Sequence, residues 1–446
     1  MKRKSYGMSL RLLTGIGRAL CLHSPVFGQS PRGSSTFAID APQAVAKDPG
    51  SPPEAAPEAP VRGMTEPVSF DFGGADKARQ WYASADYLLW WFKDSPVPVP
   101  LLTTTSNPAS MPVAAIGDSN SSVLLGNESL GGGVHQGARL TLGYWIDDSR
   151  QIGLESSYFF LADKTTVRSA ASSGQPDAPV LAVPFFDEDA GAENSFVVAS
   201  PGGFAGAAVL SLTSRLQSAE LQGVVQAFDA PNLHVEVLFG GCFAELTENL
   251  SFATSSTGIS DPNTDLILNT VDQFNVRNDF YGWQVGTRAE AQWGNFEFRA
   301  SAKLALGDMH QVANLNGYAV TNFFNAPAGG PFTGVPTQVV PGAGAFVQPS
   351  NLGRGSRDSF AVAPELGVTL GYRLTDSLRV FAGYDFFYLS NVIRPGDQID
   401  RGINFSQTVQ SAIAGNAVAV GSRPAATLVD SDFWAQGLHL GLELRY

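Results

Sequence analysis

The sequence of 446 residues has very little cysteine and few charged side chains. Cys21 and Cys242 are too few for a disulfide framework or a cysteine-based zinc site. Charged residues make up 15% of the chain, against about 25% in typical soluble domains. No run of about 18 apolar residues occurs, which excludes a helical membrane span. These absences leave a sheet-rich protein as the simplest prediction.

Basic residues are also scarce, since 28 Lys and Arg stand against 41 Asp and Glu, a net charge of −13. This balance argues against a nucleic-acid binder, which normally has a basic face. The five His are dispersed, and the sequence contains no phosphate loop, dinucleotide motif or HExxH. We therefore predict no enzyme activity, no cofactor and no metal. His310 near Asp308 is the one candidate for a hydrolase site at a barrel rim, and a solvated loop histidine is the simpler interpretation.

Glycine and aromatic residues are plentiful, with 47 Gly, 28 Pro, 29 Phe, 11 Tyr and 7 Trp. This composition suits many strands and turns. The mean hydropathy is +0.00, which is expected of a membrane β-barrel because each strand turns alternate residues away from lipid.

The first eighty residues differ from the rest of the chain. A basic start at Lys2–Lys4 and a moderately apolar stretch predict a signal peptide over residues 1–28, cleaved before Gln29. Residues 29–79 are rich in Pro and Ala and predict a disordered periplasmic linker. The barrel is predicted to span residues 80–446.

Hydrophobic residues alternate with polar ones from Gln80 to the C-terminus. In the first such stretch, Trp81, Tyr87 and Trp91 share one face while Ser84 and Asp86 share the other. Ten stretches follow this pattern and predict ten strands: 81–91, 138–146, 152–160, 219–227, 233–243, 281–293, 296–306, 366–372, 378–388 and 438–446.

The connections between these stretches alternate between short and long. Short turns are predicted at 147–150, 229–231, 294–295 and 374–377, and long segments at 94–134, 163–211, 249–274, 309–357 and 390–432. Long loops at one end and short turns at the other are typical of outer-membrane barrels. The predicted fold class is therefore all-β: a closed antiparallel transmembrane β-barrel of about ten strands, with twelve as the alternative, in the bacterial outer membrane.

An even strand count places both termini on the periplasmic side. Aromatic residues lie toward the strand ends, as interfacial girdles require. The chain stops at Tyr446, in phase with the apolar stripe, which predicts recognition by the barrel assembly machinery. Outer-membrane lipids and extracellular ligands of the long loops are the other expected partners, and nucleic acid is not.

Charged residues on the second face of these strands are predicted to face the lumen. Two interpretations stay open, since the charges either pair and block the lumen or line a constricted pore. We expect Arg139 near Glu155, and Glu290 near Arg299. The predicted lumen-facing residues are Arg139, Glu155, Glu220, Glu236, Arg288, Glu290, Arg299, Lys303, Glu365, Arg373, Arg379, Asp385 and Glu443.

A turn is predicted just past the ninth strand, at the mouth of the barrel. It contains Arg394, Pro395, Gly396, Asp397 and Asp400. Pro and Gly favour a structural turn. The alternatives are a clamp at the barrel mouth or an ion site at the two aspartates, although the D-x-D-x-D-G pattern of a calcium loop is absent.

Several segments resemble the beta-barrel porin family numbered seven. The more specific ones are Pro364–Gly367, Gly383–Asp385 and Arg394–Asp400, and the others are Trp81–Trp91, Phe280–Gly286, Lys303–Gly307 and Phe433–Gly437. The resemblance spans roughly Gln80 to Tyr446. It implies a bacterial outer-membrane barrel of porin type and carries over no catalytic residues.

Two functions therefore compete. The first is a narrow porin that passes small solutes or ions. The second is a non-conducting structural or surface-interaction barrel that acts through its long extracellular loops.

Overall fold

The computed structural model describes residues 80–131, 133–416, 419 and 421–446, so the predicted signal peptide and linker lie outside the described residues. Among the residues described, no helix is long and apolar enough to cross a membrane, and the α-helix α1 spans only Val409–Ile413. The strands in chain order are β1 (Trp81–Phe92), β2 (Ser95–Thr105), β3 (Ser121–Leu130), β4 (His135–Trp145), β5 (Ile152–Ser172), β6 (Leu181–Asp187), β7 (Ala192–Ala199), β8 (Phe204–Ala230), β9 (Leu233–Gly258), β10 (Ile267–Trp293), β11 (Phe296–Thr321), β12 (Gln338–Pro341), β13 (Gly353–Arg373), β14 (Leu378–Ile393), β15 (Gly402–Ile403) and β16 (Asp430–Arg445).

Ten of these strands form a ring of antiparallel neighbours, which confirms the predicted count of ten rather than twelve. The order around the ring is β1, β4, β5, β8, β9, β10, β11, β13, β14, β16 and back to β1. The first and last strands meet in a continuous register from Tyr82↔Arg445 to Phe92↔Ala435. Each ring strand thus pairs with two neighbours, which satisfies its backbone hydrogen bonds on both sides.

The predicted apolar stripes form an exposed band around the outside of the ring, here called the apolar belt. On β16, for example, Leu438, Leu440, Leu442 and Leu444 are 47–58% exposed. The belt covers about nine to thirteen residues of each strand, close to the 9–11 residues that cross a bilayer. Aromatic residues such as Trp81, Trp293 and Tyr446 lie at its turn end.

The short connections lie together at one end of the ring, as predicted. In the turn between β4 and β5, the Asp147 carboxylate accepts hydrogen bonds from the backbone amides of Gln151 and Ile152 at 2.8–3.0 Å. Hydrogen bonds from the Ser149 hydroxyl and from these amides lower the pKa of Asp147 to about 2. This turn is fixed by its own side chain.

The opposite end differs from the prediction of long polar loops. Five strands, β5 and β8 to β11, continue well beyond the apolar belt. The segment 249–274 is mostly strand, with a connection of only 259–266 between β9 and β10. The alternating pattern missed these extensions because their outward face mixes Ser, Thr, Asn and Gln with Val and Ala and so lacks a continuous apolar stripe. We call the part of β5 and β8–β11 beyond the belt the wall.

The remaining connections fold into a loop domain. Its sheet has the order β15-β6-β2-β3, with β7 also paired to β6. Its buried residues, including Leu101, Phe185 and Phe346, form one cluster with inward residues of the wall such as Leu210 and Phe252. The wall therefore serves as one side of a hydrophobic core that the loop domain completes.

Candidate functional site in the lumen

The inward-facing side chains of the ring form two successive layers below the loop domain. Nearest the short turns lies a layer of paired charges, here called the charged tier. Next comes a layer of buried apolar side chains, here called the apolar tier, which consists of Leu88, Trp90, Phe159, Leu161, Leu216, Ala244, Leu246, Phe280, Ala305, Met309, Ala361, Ala363, Phe387, Leu389, Val392, Phe433 and Ala435.

One group in the charged tier is centred on Arg288. Its guanidinium lies 2.8 Å from a carboxylate oxygen of Glu155 and 2.6 Å from one of Glu236. Tyr82 donates to Glu155 over 2.6 Å, and Gln222 donates to the other Glu155 oxygen over 2.7 Å. Glu155 is thus bonded on both oxygens, as a buried carboxylate requires.

A second group joins three strands through one ammonium, and one of these strands is not a neighbour of the other two. Lys303 on β11 lies 2.8 Å from Glu220 on β8 and 3.0 Å from Glu365 on β13. Gln284 on β10, which lies between β8 and β11 in the ring, donates to Glu220 over 3.3 Å. Lys303 therefore spans the interior instead of pairing only with a neighbouring strand.

A third group lies under the apolar tier. Arg139 lies 3.0 Å from Asp385 and 3.9 Å from Asp86. His439 Nδ1 lies 2.8 Å from Asp385, and its Nε2 lies 3.1 Å from the Thr369 hydroxyl. The group links β1, β4, β13, β14 and β16.

The fourth group lies nearest the turns. Arg299 lies 2.9 Å from Glu290 and 3.4 Å from Glu443. Arg379 pairs with Glu297 and with Glu443, which is 2.9 Å away. Arg445, at the end of the last strand, contacts Glu443 at 2.5 Å and Glu297 at 3.3 Å.

Twelve of the thirteen residues predicted to face the lumen lie in these four groups. Arg373 does not, because it lies beside a turn and donates to the Gly294 carbonyl over 3.1 Å. Asp86, Glu297 and His439 also belong to the tier, and the same alternation places them on this face. Tyr82 was missed because a phenol gives no charge signal in the sequence.

The pairing partners follow a register that the sequence does not specify. Glu290 and Arg299 pair as expected, and they are also opposite each other in the β10–β11 register. The expected Arg139–Glu155 pair was wrong. Arg139 faces Phe159 across β4–β5, and Glu155 faces Gly143 four residues further along, so Arg139 reaches Asp385 across the lumen instead.

The apolar tier closes the ring above these charges. The large side chains Trp90, Phe280, Met309 and Phe433 are 0% exposed, and Phe387 is 4% exposed. Nine of the ten ring strands contribute residues to the tier, and β4 supplies buried His135 and Gly137 at the same level. Water has no contact with most of these side chains, so the lumen is filled at this level.

Aromatic contacts hold the tier together and join it to the charges below. The Trp90 and Phe159 ring centroids are 5.2 Å apart, and those of Phe159 and Phe387 are 6.0 Å apart. The Arg139 guanidinium carbon lies 5.6 Å from the Trp90 ring centroid, a cation–π distance. Trp90 and Phe387 therefore lie inside as packing elements, although they break the pattern of polar inward residues.

The predicted mouth turn is a 3₁₀ helix, Pro395–Gln398, preceded by a fully buried arginine. Arg394 is 1% exposed and forms two hydrogen bonds of 2.5 and 3.0 Å to Glu248 on β9, which is also 1% exposed. Its guanidinium carbon lies 5.5 Å from the Phe433 ring centroid. Arg394 thus fastens the β14–β16 connection to the base of the wall.

The other predicted turn residues have separate positions. A Cβ atom on Gly396 would lie 2.0 Å from the Pro96 carbonyl oxygen, so the glycine permits close approach to β2. Asp400 accepts hydrogen bonds from Arg423 at 2.6 Å and from the Ala425 amide at 2.7 Å. Asp397 is half-buried, and that burial raises the pKa of its carboxyl. The motif clamps the loops to each other.

His310, the histidine singled out as a rim candidate, faces outward above the apolar belt. Its Nδ1 lies 2.5 Å from Asp358 on β13. Within the described part of the chain, no cluster of three or more His, Cys, Asp or Glu is arranged to hold a metal ion.

Comparison with known proteins gives one strong family match. The family described as "Putative beta barrel porin-7 (BBP7)" matches residues 82–446. No curated protein matches.

Solved structures are similar only at a distance. The outer membrane protease OmpT of Escherichia coli has 9% identity and a TM-score of 0.37, over 83% of this chain and 97% of that one. The toluene transporter TodX of P. putida has 7% identity and a TM-score of 0.19, over 86% and 93% of the two chains. The match to the family covers the whole ring and the loop domain, and the chain belongs to this beta barrel porin family.

Proposed function

We propose that the ten-stranded ring is a closed transmembrane β-barrel of the bacterial outer membrane. The exposed apolar belt supports this proposal, because its height on each strand suits a bilayer and aromatic residues border it. The turn end would face the periplasm and the loop domain the exterior. In this arrangement the last strand, ending at Tyr446, is the segment that the assembly machinery would bind.

The function that the geometry supports best is a non-conducting barrel that presents its loop domain at the cell surface. The observation that carries it is the apolar tier, where Trp90, Phe280 and Phe433 are completely buried inside the ring. Ions and polar solutes have no water-filled route past such a layer. The charged tier below it is internally paired and stabilises the ring from inside.

A second candidate is a gated porin for small solutes or ions. Membership of a porin family and the many charged groups below the apolar tier favour it. Conduction would require Trp90, Phe159 and Phe387 to separate, together with the loop domain above them. We rank it second because the side chains that would move are at most 4% exposed and pack against one another.

Two experiments address these proposals separately. Refolded protein that migrates faster on a gel when unboiled would support the closed barrel, and identical migration with and without boiling would contradict it. Liposomes that contain the protein should not swell in an isotonic solution of a small sugar. Swelling at the rate of a general porin, at equal protein content, would favour the second candidate.

Export, enzyme activity and nucleic-acid binding are the remaining parts of the proposal. We propose a signal peptide over residues 1–28 and a periplasmic linker over residues 29–79. We also propose that the protein has no catalytic role and does not bind nucleic acid. Mass spectrometry of the mature N-terminus tests the first of these, since a chain starting at Gln29 is expected.

A further inference from the structure

The outward surface of the wall is an array of uncharged side chains, thirteen of them polar and seven of them Val or Ala. Four rows of five positions continue across β5, β8, β9, β10 and β11 in unbroken register. The rows are Thr165, Thr213, Asn249, Asn275, Asn314; Val167, Ser211, Ser251, Gln273, Asn316; Ser169, Val209, Ala253, Val271, Tyr318; and Ala171, Ala207, Ser255, Asn269, Val320. We call these twenty positions the uncharged face.

The absence of charge from this face is unusual for a surface in contact with water. About a quarter to a third of the residues on an ordinary soluble surface are Lys, Arg, Glu or Asp. None of these four residue types occurs at the twenty positions. Depletion of charge is the compositional sign of an interface core. The loop domain does not cover this face, because it packs on the opposite, inward face of the same strands.

The face lies beyond the apolar belt on the same strands. Between them lies a band of ion pairs, in which Arg215 contacts Glu245 at 2.9 Å and Arg277 contacts Asp279 at 3.0 Å. His310 and Asp358 complete this band on β11 and β13. Moving away from the membrane centre, the outer surface is therefore first apolar, then charged, then uncharged and mostly polar.

This order matches the layers of a glycolipid leaflet, which are acyl chains, charged headgroups and sugars. From this order of layers we propose that the uncharged face binds the sugar chains of glycolipids in the outer leaflet. The proposal rests on the outer-membrane location proposed above.

Hydroxyl and amide side chains suit this ligand, because each can both donate and accept a hydrogen bond, as sugar hydroxyls do. The side chains repeat about every 4.8 Å across the strands and about every 6.7 Å along them, which offers a regular set of bonding groups. Thr165 and Thr213 already bond each other at 2.7 Å, and Asn316 donates to Gln273 over 3.0 Å. A second copy of the chain is a poorer fit, since homodimer interfaces are more apolar.

The test measures binding of two lipopolysaccharides to the refolded protein in detergent micelles. One carries its complete polysaccharide and the other is truncated to its innermost sugars. We expect the complete form to bind at least tenfold more tightly. Equal affinity for the two, or no binding of the complete form, would overturn the proposal.

Two single variants place a charge in the uncharged face. Ser251→Glu and Asn275→Glu should each weaken binding of the complete lipopolysaccharide about tenfold and leave the truncated form unaffected. Ser129→Glu is the matched control, because Ser129 is exposed on β3 in the loop domain. If all three variants bind like the parent protein, or if cross-linking shows that the face joins two copies, the assignment is wrong.

Gel migration of the unboiled protein is recorded for every variant. Loss of the faster unboiled migration in the parent protein would count against the barrel itself, and a variant that alone loses it is replaced by the other Glu variant. Normal migration combined with sugar-independent binding would overturn only the glycolipid assignment.

Discussion

The buried charges of this protein are arranged so that most have partners on several strands. Lys303 contacts two carboxylates and Arg288 another two, and these contacts offset part of the large cost of placing each charge in the interior. Such groups tie distant strands to one another. Removing a charged side chain from such a group should therefore lower the stability of the whole ring, or of the loop domain that the group holds.

Arg394→Met tests this expectation at the buried ion pair between Arg394 and Glu248, which fastens the mouth turn. It would leave the Glu248 carboxylate buried without a partner and reduce the free energy of local unfolding of the β14–β16 connection by about 3–5 kcal/mol. Hydrogen exchange of residues 394–416 measures that free energy. The double variant Arg394→Met/Glu248→Leu should recover most of the loss, and a double variant as unstable as the single one would contradict this account.

Asp272 is a buried carboxylate that has no cationic partner among the described residues. It lies on the wall, outside the apolar belt, and accepts hydrogen bonds of 2.7–3.0 Å from the backbone amides of Ala345, Phe346 and Val347. Burial raises the pKa of Asp272 to about 7, although the amides act in the opposite direction. A carboxyl with a raised pKa binds its proton more tightly in the folded state, so its contribution to stability is complete below about pH 4 and is lost as the pH rises through 7.

The segment 343–348 should therefore exchange its amide hydrogens faster, after correction for intrinsic rates, as the pH rises from 5 to 8. Asp272→Asn should abolish this pH dependence while it weakens the bond to Ala345. A pH dependence of equal size in the Asn variant would show that another group is responsible.

Single elements were predictable where the apolar belt imposes a period of two. All ten apolar stripes correspond to ring strands, because the outward face of each must be apolar and the inward face need not be. Strands of the loop domain were not predictable in this way. β2 contains Pro96, Pro98 and Pro100 and pairs with β3 through several register shifts, so proline signalled a loop where a bulged strand exists.

Leu440→Arg on β16 tests whether the stripe faces lipid. Leu440 is 51% exposed near the middle of the apolar belt, and an arginine there should lower the free energy of unfolding in lipid vesicles by about 2–4 kcal/mol. Val339→Arg is the control, since Val339 is 62% exposed on β12 outside the belt. Equal effects of the two substitutions would argue against a lipid-facing β16.

Gly396→Ala tests the fit between the mouth turn and β2. The new Cβ would lie 2.0 Å from a backbone oxygen, so the 3₁₀ helix could no longer dock against Pro96. We expect faster proteolysis between residues 394 and 430. Gly355→Ala on β13 is the control, because its Cβ would meet nothing closer than 3.8 Å, and equal proteolysis rates of the two variants would refute the close-approach argument.

For the whole molecule, the sequence predicted the ring and its inward charges but not the closure. Alternation identifies which residues face inward, yet it cannot tell whether inward aromatics such as Trp90 and Phe387 meet across the lumen. That depends on register and ring size, and so does the partner of each charge. The loop domain was equally hidden, since its core combines residues distant in sequence, for instance Leu101, Phe252 and Phe346.

The proposed function depends on closure of the lumen by the apolar tier. Current through planar lipid bilayers tests it most directly, after refolded protein has been shown by flotation to be inserted in the same lipids. We predict no channel currents from the wild-type protein over a range of voltages in symmetric salt. Regular single-channel steps from the intact protein would show that the lumen is open. They would support the gated porin instead of the non-conducting barrel.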